Sequence, residues 1–279
     1  MDGSRAKDGA ASQGGGMLEP FRFFVAGDWR LDLPPGGLTD LPAALAPVVR
    51  EAARNAVKAS IDAALAAKVD FFLLAGDVVD PQQAGAGDLT FVVDQFKRLA
   101  AANVPVYWAS AAAPKAAWPE NWPLPDNVSL FPLNRPRRVV AVRGDAPLAT
   151  IIGASGDEPD VAAFRRKPSD PWAVAIGHGS VDPESLEAGL DAWILGGGPA
   201  PRAIDDQGPY LVRASSLQAR SHNEPGPHGG FLVEVDERGR RTTSLIETDS
   251  LRYVTEYFDL PADVTGEALP LLLQQYTSD

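Results

Sequence analysis

Apolar positions in the N-terminal third switch between strand and helix periods. Phe21 to Ala26 is a short aromatic and β-branched run ending in a Gly-Asp turn, which predicts a buried strand. Residues 33–40 contain Pro34-Pro35-Gly36-Gly37 and predict a loop. Residues 51–68 are Ala-rich, with Val57, Ile61 and Leu65 at four-residue spacing, the pattern of an amphipathic helix. Residues 70–74 read as a second buried strand. Residues 88–102, with Phe91, Phe96 and Leu99 in helical spacing, read as a second helix, and 104–108 as a third strand. This alternation with short turns implies βαβ units and a mainly parallel sheet.

The second half has a different rhythm. Residues 118–136 are rich in Pro and Trp and predict an irregular stretch. Strand-like runs follow at 138–142, 149–152, 173–176, 192–195, 210–213, 230–235 and 242–247, enough for a second sheet packed on the first. Residues 1–20 are Gly/Ala/Ser-rich and predict a disordered tail. Residues 251–279 begin like a strand, carry a helical segment at 266–276, and form a C-terminal extension. No internal repeat is visible.

Composition narrows the function classes. The chain has 279 residues, long enough for a sizeable core. It has no cysteine, which excludes disulfides and thiolate metal sites and fits a cytoplasmic protein. No apolar run is long enough for a membrane helix, and no signal-peptide pattern opens the chain. A formal charge of −12 disfavours unaided binding to DNA or an anionic membrane. Three histidines, His178, His222 and His228, are few for an imidazole-rich two-metal site.

The chemistry-bearing residues follow predicted strands. Asp28 and Asp77 each follow a glycine, in Gly27-Asp28 and Gly76-Asp77-Val78-Val79-Asp80. His178 lies in Ala175-Ile176-Gly177-His178-Gly179, and Trp193-Ile194-Leu195-Gly196-Gly197-Gly198-Pro199 comes later. Loops at strand C-termini are where catalytic side chains converge in α/β folds. In order and spacing these segments resemble the calcineurin-like metallophosphoesterases, in particular the SbcD/YhaO branch of DNA-repair exonucleases. A late segment, Leu217-Gln218-Ala219-Arg220 with Asn223-Glu224 to Phe231, resembles that branch too.

The resemblance implies an α/β fold: a two-sheet β-sandwich flanked by helices, in four layers α/β/β/α. Residues 21–250 would form this domain, with the cap region of the family beginning near 251. It also implies two divalent ions, bridged by Asp77, with Asp28 a ligand of the first and His178 of the second. Elsewhere the pattern departs from the family. Arg30 stands in place of a histidine ligand, Ala112 of an asparagine ligand, Ala113 of the catalytic histidine, and Gly197 and Pro199 of two further histidines. Neither ion keeps more than two protein ligands, so no cofactor is expected, and any Mn or Mg at the remnant site would be weakly held.

The resulting expectation is a degenerate, catalytically inactive phosphoesterase that acts as a scaffold or regulatory subunit. By resemblance, its partner would be an SMC-like ATPase. Arg30 is expected to substitute for the lost ion between Asp28 and Asp77. Two other readings stand beside this one. One is an active phosphodiesterase or nuclease using Asp28, Asp77 and His178, with Asp80 or His222, around one ion. The other is a phosphate or nucleotide binder using Arg30 and Arg220. Blander readings are Asp28 and Asp77 as turn formers, His178 as a loop residue, the arginines near 135–143 and 165–167 as a solvated face, and Trp108, Trp118 and Trp122 as core cover.

Overall fold

The computed structural model describes residues 17–38, 41–186, 189–205, 209–257, 259 and 266–276. Residues 1–16 of the expected tail lie outside the described residues. Residues 17–20 are anchored: the Leu18 amide bonds the Glu237 carbonyl at 2.9 Å, and Glu19 pairs with Arg143.

The strands are β1 (Phe21–Ala26), β2 (Phe71–Ala75), β3 (Val106–Ala109), β4 (Val128–Leu130), β5 (Arg137–Arg143), β6 (Ala146–Gly153), β7 (Ala173–His178), β8 (Ala192–Gly198), β9 (Arg202–Ile204), β10 (Leu211–Ser215), β11 (Gly229–Val235) and β12 (Arg241–Glu247). The helices are α1 (Ala46–Ala66), α2 (Ala86–Ala101), α3 (Pro114–Ala117) and α4 (Leu269–Tyr276). They build two mixed six-stranded sheets, ordered β12-β11-β1-β2-β3-β4 and β5-β6-β7-β8-β10-β9. The pairs from β1 to β4 are parallel, as the βαβ rhythm requires, and β11 and β12 add an antiparallel edge.

Strand alternation sorts the side chains into two cores. Phe21, Phe23 and Val25 of β1 face the second sheet, where Trp172, Val174, Ile176 and Ile194 meet them. Phe23 stacks on Phe71 with ring centroids 4.9 Å apart. The other face of the first sheet, with Phe24, Phe72 and Leu74, buries Val57 and Ile61 of α1 and Val92, Phe96 and Leu99 of α2. The outer face of the second sheet is covered among the described residues by short 3-10 turns and loops carrying Phe164, Leu186 and Leu190.

Several elements depart from the sequence expectation. Helix α1 begins five residues earlier than its periodicity suggested, because Pro47 is tolerated in a first turn, where its missing N–H has no intrahelical partner. The stretch 118–136 contains strand β4, paired to β3. Its residues are only half-buried, so it leaves little apolar pattern. The Trp residues there cover the core: Trp118 is buried and its Nε1 donates to the Trp122 carbonyl. No described helix is long and apolar enough to cross a membrane.

Candidate functional site

The carboxylates stand where the first sheet turns. β1 runs into Gly27-Asp28 and β2 into Gly76-Asp77. Asp28 is 7% exposed, and its Oδ1 accepts the Asp77 amide at 2.8 Å. Gly76 has φ of +134°, and a Cβ there would collide with the Asp28 carboxylate, so this turn requires glycine. Trp108 Nε1, fully buried, donates 2.7 Å to the Gly76 carbonyl and fixes the turn from below. Asp77 Oδ1 accepts the Ala111 amide at 3.0 Å.

His178 reaches the same place from the second sheet, at the end of β7. Its Nε2 lies 3.7 Å from Asp28 Oδ1 and its Nδ1 lies 2.8 Å from Asp157 Oδ1. The longer separation exceeds hydrogen-bond range, so the Asp28 contact acts through charge. The structure therefore brings Asp28, Asp77 and His178 together.

The electrostatics follow from this geometry. Burial pushes the Asp28 carboxyl up, but His178, the Asp77 amide and the charge of Arg220 outweigh it and hold it below the usual carboxylate range. Burial, then the charge of Asp28, pushes Asp77 up against the pull of the Ala111 amide, His178 and Arg30. Burial opposes charge on His178, yet Asp28, Asp157 and Asp77 raise its pKa above the ordinary imidazole value.

Arg30 does not sit between the two carboxylates. Its guanidinium turns to Asp32, with Nε to Oδ1 at 3.3 Å and Nη2 to Oδ2 at 2.8 Å. The reason is local: Arg30 takes a left-handed backbone with φ of +41°, and the Asp32 side chain, 0% exposed, needs a partner beyond the Asp80 amide. Arg30 still acts on Asp77 and Asp28 through its field, but the basic side chain paired with Asp28 is His178, 3.7 Å away.

The remaining positions supply no side-chain ligand. Ala112 and Ala113 lie in the loop after β3, where the Ala112 carbonyl accepts the Ser110 hydroxyl and Ala113 caps α3. Gly197, with φ of +82°, lies under the His178 ring, and Pro199 is exposed beyond β8. Asp80 bonds the Gln82 amide and the Gln83 side chain instead of joining Asp77. His222 is exposed in a loop, and His228 is fully buried with Nδ1 on the Ser216 carbonyl at 2.9 Å. Arg220 is held by Glu224, 2.9 Å from its Nη2.

The donor set does not fit a two-ion centre. Among the described residues no three His, Asp or Glu side chains are placed to share an ion. Asp28, Asp77 and His178 are the side chains of the expected pattern that remain at this place, too few for two ions.

Asp157 was not anticipated as the partner of His178. Its signal was a further Gly-Asp pair, Gly156-Asp157, just beyond β6. Asp32 was also missed; a buried acid two residues from an arginine leaves no pattern in the sequence.

No family model matches the chain. It is 29% identical over 240 residues to the uncharacterized metallophosphoesterase YhaO of Bacillus subtilis (strain 168). The alignment covers 78% of this chain and 58% of YhaO, so the chain spans little more than half the length of that relative. Among solved structures, a dimetal phosphatase from Danio rerio aligns over 81% of this chain and 98% of its own, at 11% identity and a TM-score of 0.43. A 5'-nucleotidase from Staphylococcus aureus, described as putative and solved with alpha-ketoglutarate, aligns over 92% and 59%, at 15% identity and a TM-score of 0.31. The sequence likeness to YhaO and the two mixed sheets together support a relationship between this chain and the calcineurin-like metallophosphoesterases.

Proposed function

We infer that this chain is a phosphoesterase-fold protein without hydrolytic activity of its own, serving as a scaffold or regulatory subunit. The observation that supports this reading is the small donor set: among the described residues no three His, Asp or Glu side chains are placed to share an ion. The alanines at 112 and 113 remove a ligand and a proton donor from the pattern the sequence resembles. Help of that acid-base kind is worth about 10²–10⁴-fold in rate, and the electrostatic clamp on the phosphate is a further, larger loss. By the same resemblance we propose an SMC-like ATPase as partner. The net charge of −12 leaves DNA contacts to that partner.

Calorimetric titration with Mn, paired with hydrolysis assays on a generic phosphodiester and on single- and double-stranded DNA, tests the reading. No site tighter than roughly millimolar and no turnover is the expected outcome. Turnover that co-purifies with the protein and disappears in Asp77→Ala would replace it with a one-ion phosphodiesterase built on Asp28, Asp77 and His178.

A further inference from the structure

A concavity of about 690 Å³ lies at the opposite end of the strands from the remnant site. It is bounded by the first residues of β1, by Asp70 just before β2, and by the junction of β11 with β12. The length of β1 separates it from Asp28, a distance on the order of 20 Å at the usual strand rise. Its lining holds five cations, Arg22, Lys68, Arg143, Arg240 and Arg241, against three carboxylates, and Glu19 and Asp205 pair with Arg143 and Arg241 from beyond the lining, so the cations gather here in local balance within a chain of net −12.

The carboxylates act here mainly as braces. Asp70 holds Arg143, Glu234 holds Arg22 through Nε at 2.7 Å, and Asp236 holds Arg240 at 2.8 Å. Each guanidinium has five N–H donors, and these braces occupy only some of them. Arg241 is braced differently: it lies over the Tyr210 ring, 4.0 Å from its centroid, and pairs with Asp205. Its buried Nε has no hydrogen-bond partner. Lys68, exposed at the end of α1, makes no ion pair among the described residues. Exposed ion pairs are worth only about 0–1 kcal/mol, so sharing these arginines with a ligand costs little. Fixed guanidinium forks suit phosphate oxygens in particular.

We propose that this concavity binds a short phosphoanhydride chain, through Lys68, Arg22, Arg240 and the exposed part of the Arg241 guanidinium, which line it together. Several cations spread around the rim favour a ligand with several anionic groups over a single phosphate. No base is recognised: Phe21, the lining aromatic, is 2% exposed and offers no ring face for stacking.

The probe is tripolyphosphate without added metal, titrated by calorimetry and followed by amide NMR. Saturable binding is expected, weakening from low to physiological salt, with shifts at Lys68 and in 240–242. Lys68→Gln, an exposed change that spares the fold, should weaken binding about five- to tenfold, and Arg241→Gln at least as much. Asp77→Asn should bind as the parent does, which separates this site from the remnant site. ATP should bind no more tightly than tripolyphosphate. Absence of saturable binding, wild-type affinity in both pocket variants, loss of binding in Asp77→Asn, or a marked preference for ATP would each overturn the proposal.

Discussion

The imidazole of His178 fills the space that a side chain at Gly197 would need. A Cβ at Gly197 would lie 2.9 Å from Nε2 and 3.0 Å from Cε1 of His178. In this backbone the two positions crowd each other: a side chain at residue 197 obliges the His178 ring to shift.

Restoring a histidine there should therefore fail on its own. Gly197→His combines a steric conflict with a left-handed backbone, φ +82°, and should destabilise the fold by about 1–3 kcal/mol. Urea unfolding gives the stability change and Mn calorimetry the affinity. A variant as stable as the parent that also gains a tight ion would show that the His178 ring moves freely.

Arg30 and Asp32 form a largely buried ion pair. Arg30→Ala leaves the Asp32 carboxylate, 0% exposed, with the Asp80 amide as its remaining partner, and should cost about 3 kcal/mol. The double variant Arg30→Gln/Asp32→Asn removes the charge together with its partner and should lose much less than the single changes summed. Additive losses in a double-mutant cycle would contradict coupling between the two.

Stability should depend on pH through His178 and Asp28. The folded pKa of His178 is raised, so its contribution is fully present below about pH 6.5 and fades as pH rises through the raised value. Asp28 is depressed, so its contribution is present above about pH 4 and is lost as pH falls through the lowered value. Comparing the parent with His178→Asn should show a stability gap that is widest in mildly acidic buffer and narrows toward alkaline pH. A gap that is flat across that range would mean the imidazole stays neutral.

The turn below Asp77 hangs on one indole. Trp108→Phe keeps most of the packing but leaves the Gly76 carbonyl without its donor, and should cost about 1–3 kcal/mol. Because that turn also presents the Asp77 amide to Asp28, amide exchange at Asp77 should speed up more than exchange at mid-strand Leu73. Equal protection at both positions would mean the turn is held by other contacts.

The sheets were legible because their signal is local. The run Phe21–Ala26 and its Gly-Asp turn mark a buried strand without reference to the rest of the chain, and Val57, Ile61 and Leu65 mark one helix face. The ends were less legible: α1 extends through Pro47, and β4 is too short and too half-buried to alternate visibly. At the site, the meeting of Asp28, Asp77 and His178 followed from motif order. Their partners did not. The choice of Arg30 for Asp32 over Asp28 depends on a left-handed residue, and the Asp157–His178 contact joins a loop to the end of β7, 21 positions apart. Both are set by the fold as a whole.

Asp28 and Asp77 belong to one sheet and His178 to the other, and nearby the Ser110 amide reaches the Ser155 hydroxyl at 3.1 Å while the Gly156 amide reaches the Ser110 carbonyl at 2.9 Å. This edge of the sandwich is thus riveted by hydrogen bonds and by the charges of His178 and Asp28 across the sheets. A proton has purchase on such a rivet. The stiffness of this end should follow the acidity of the surroundings.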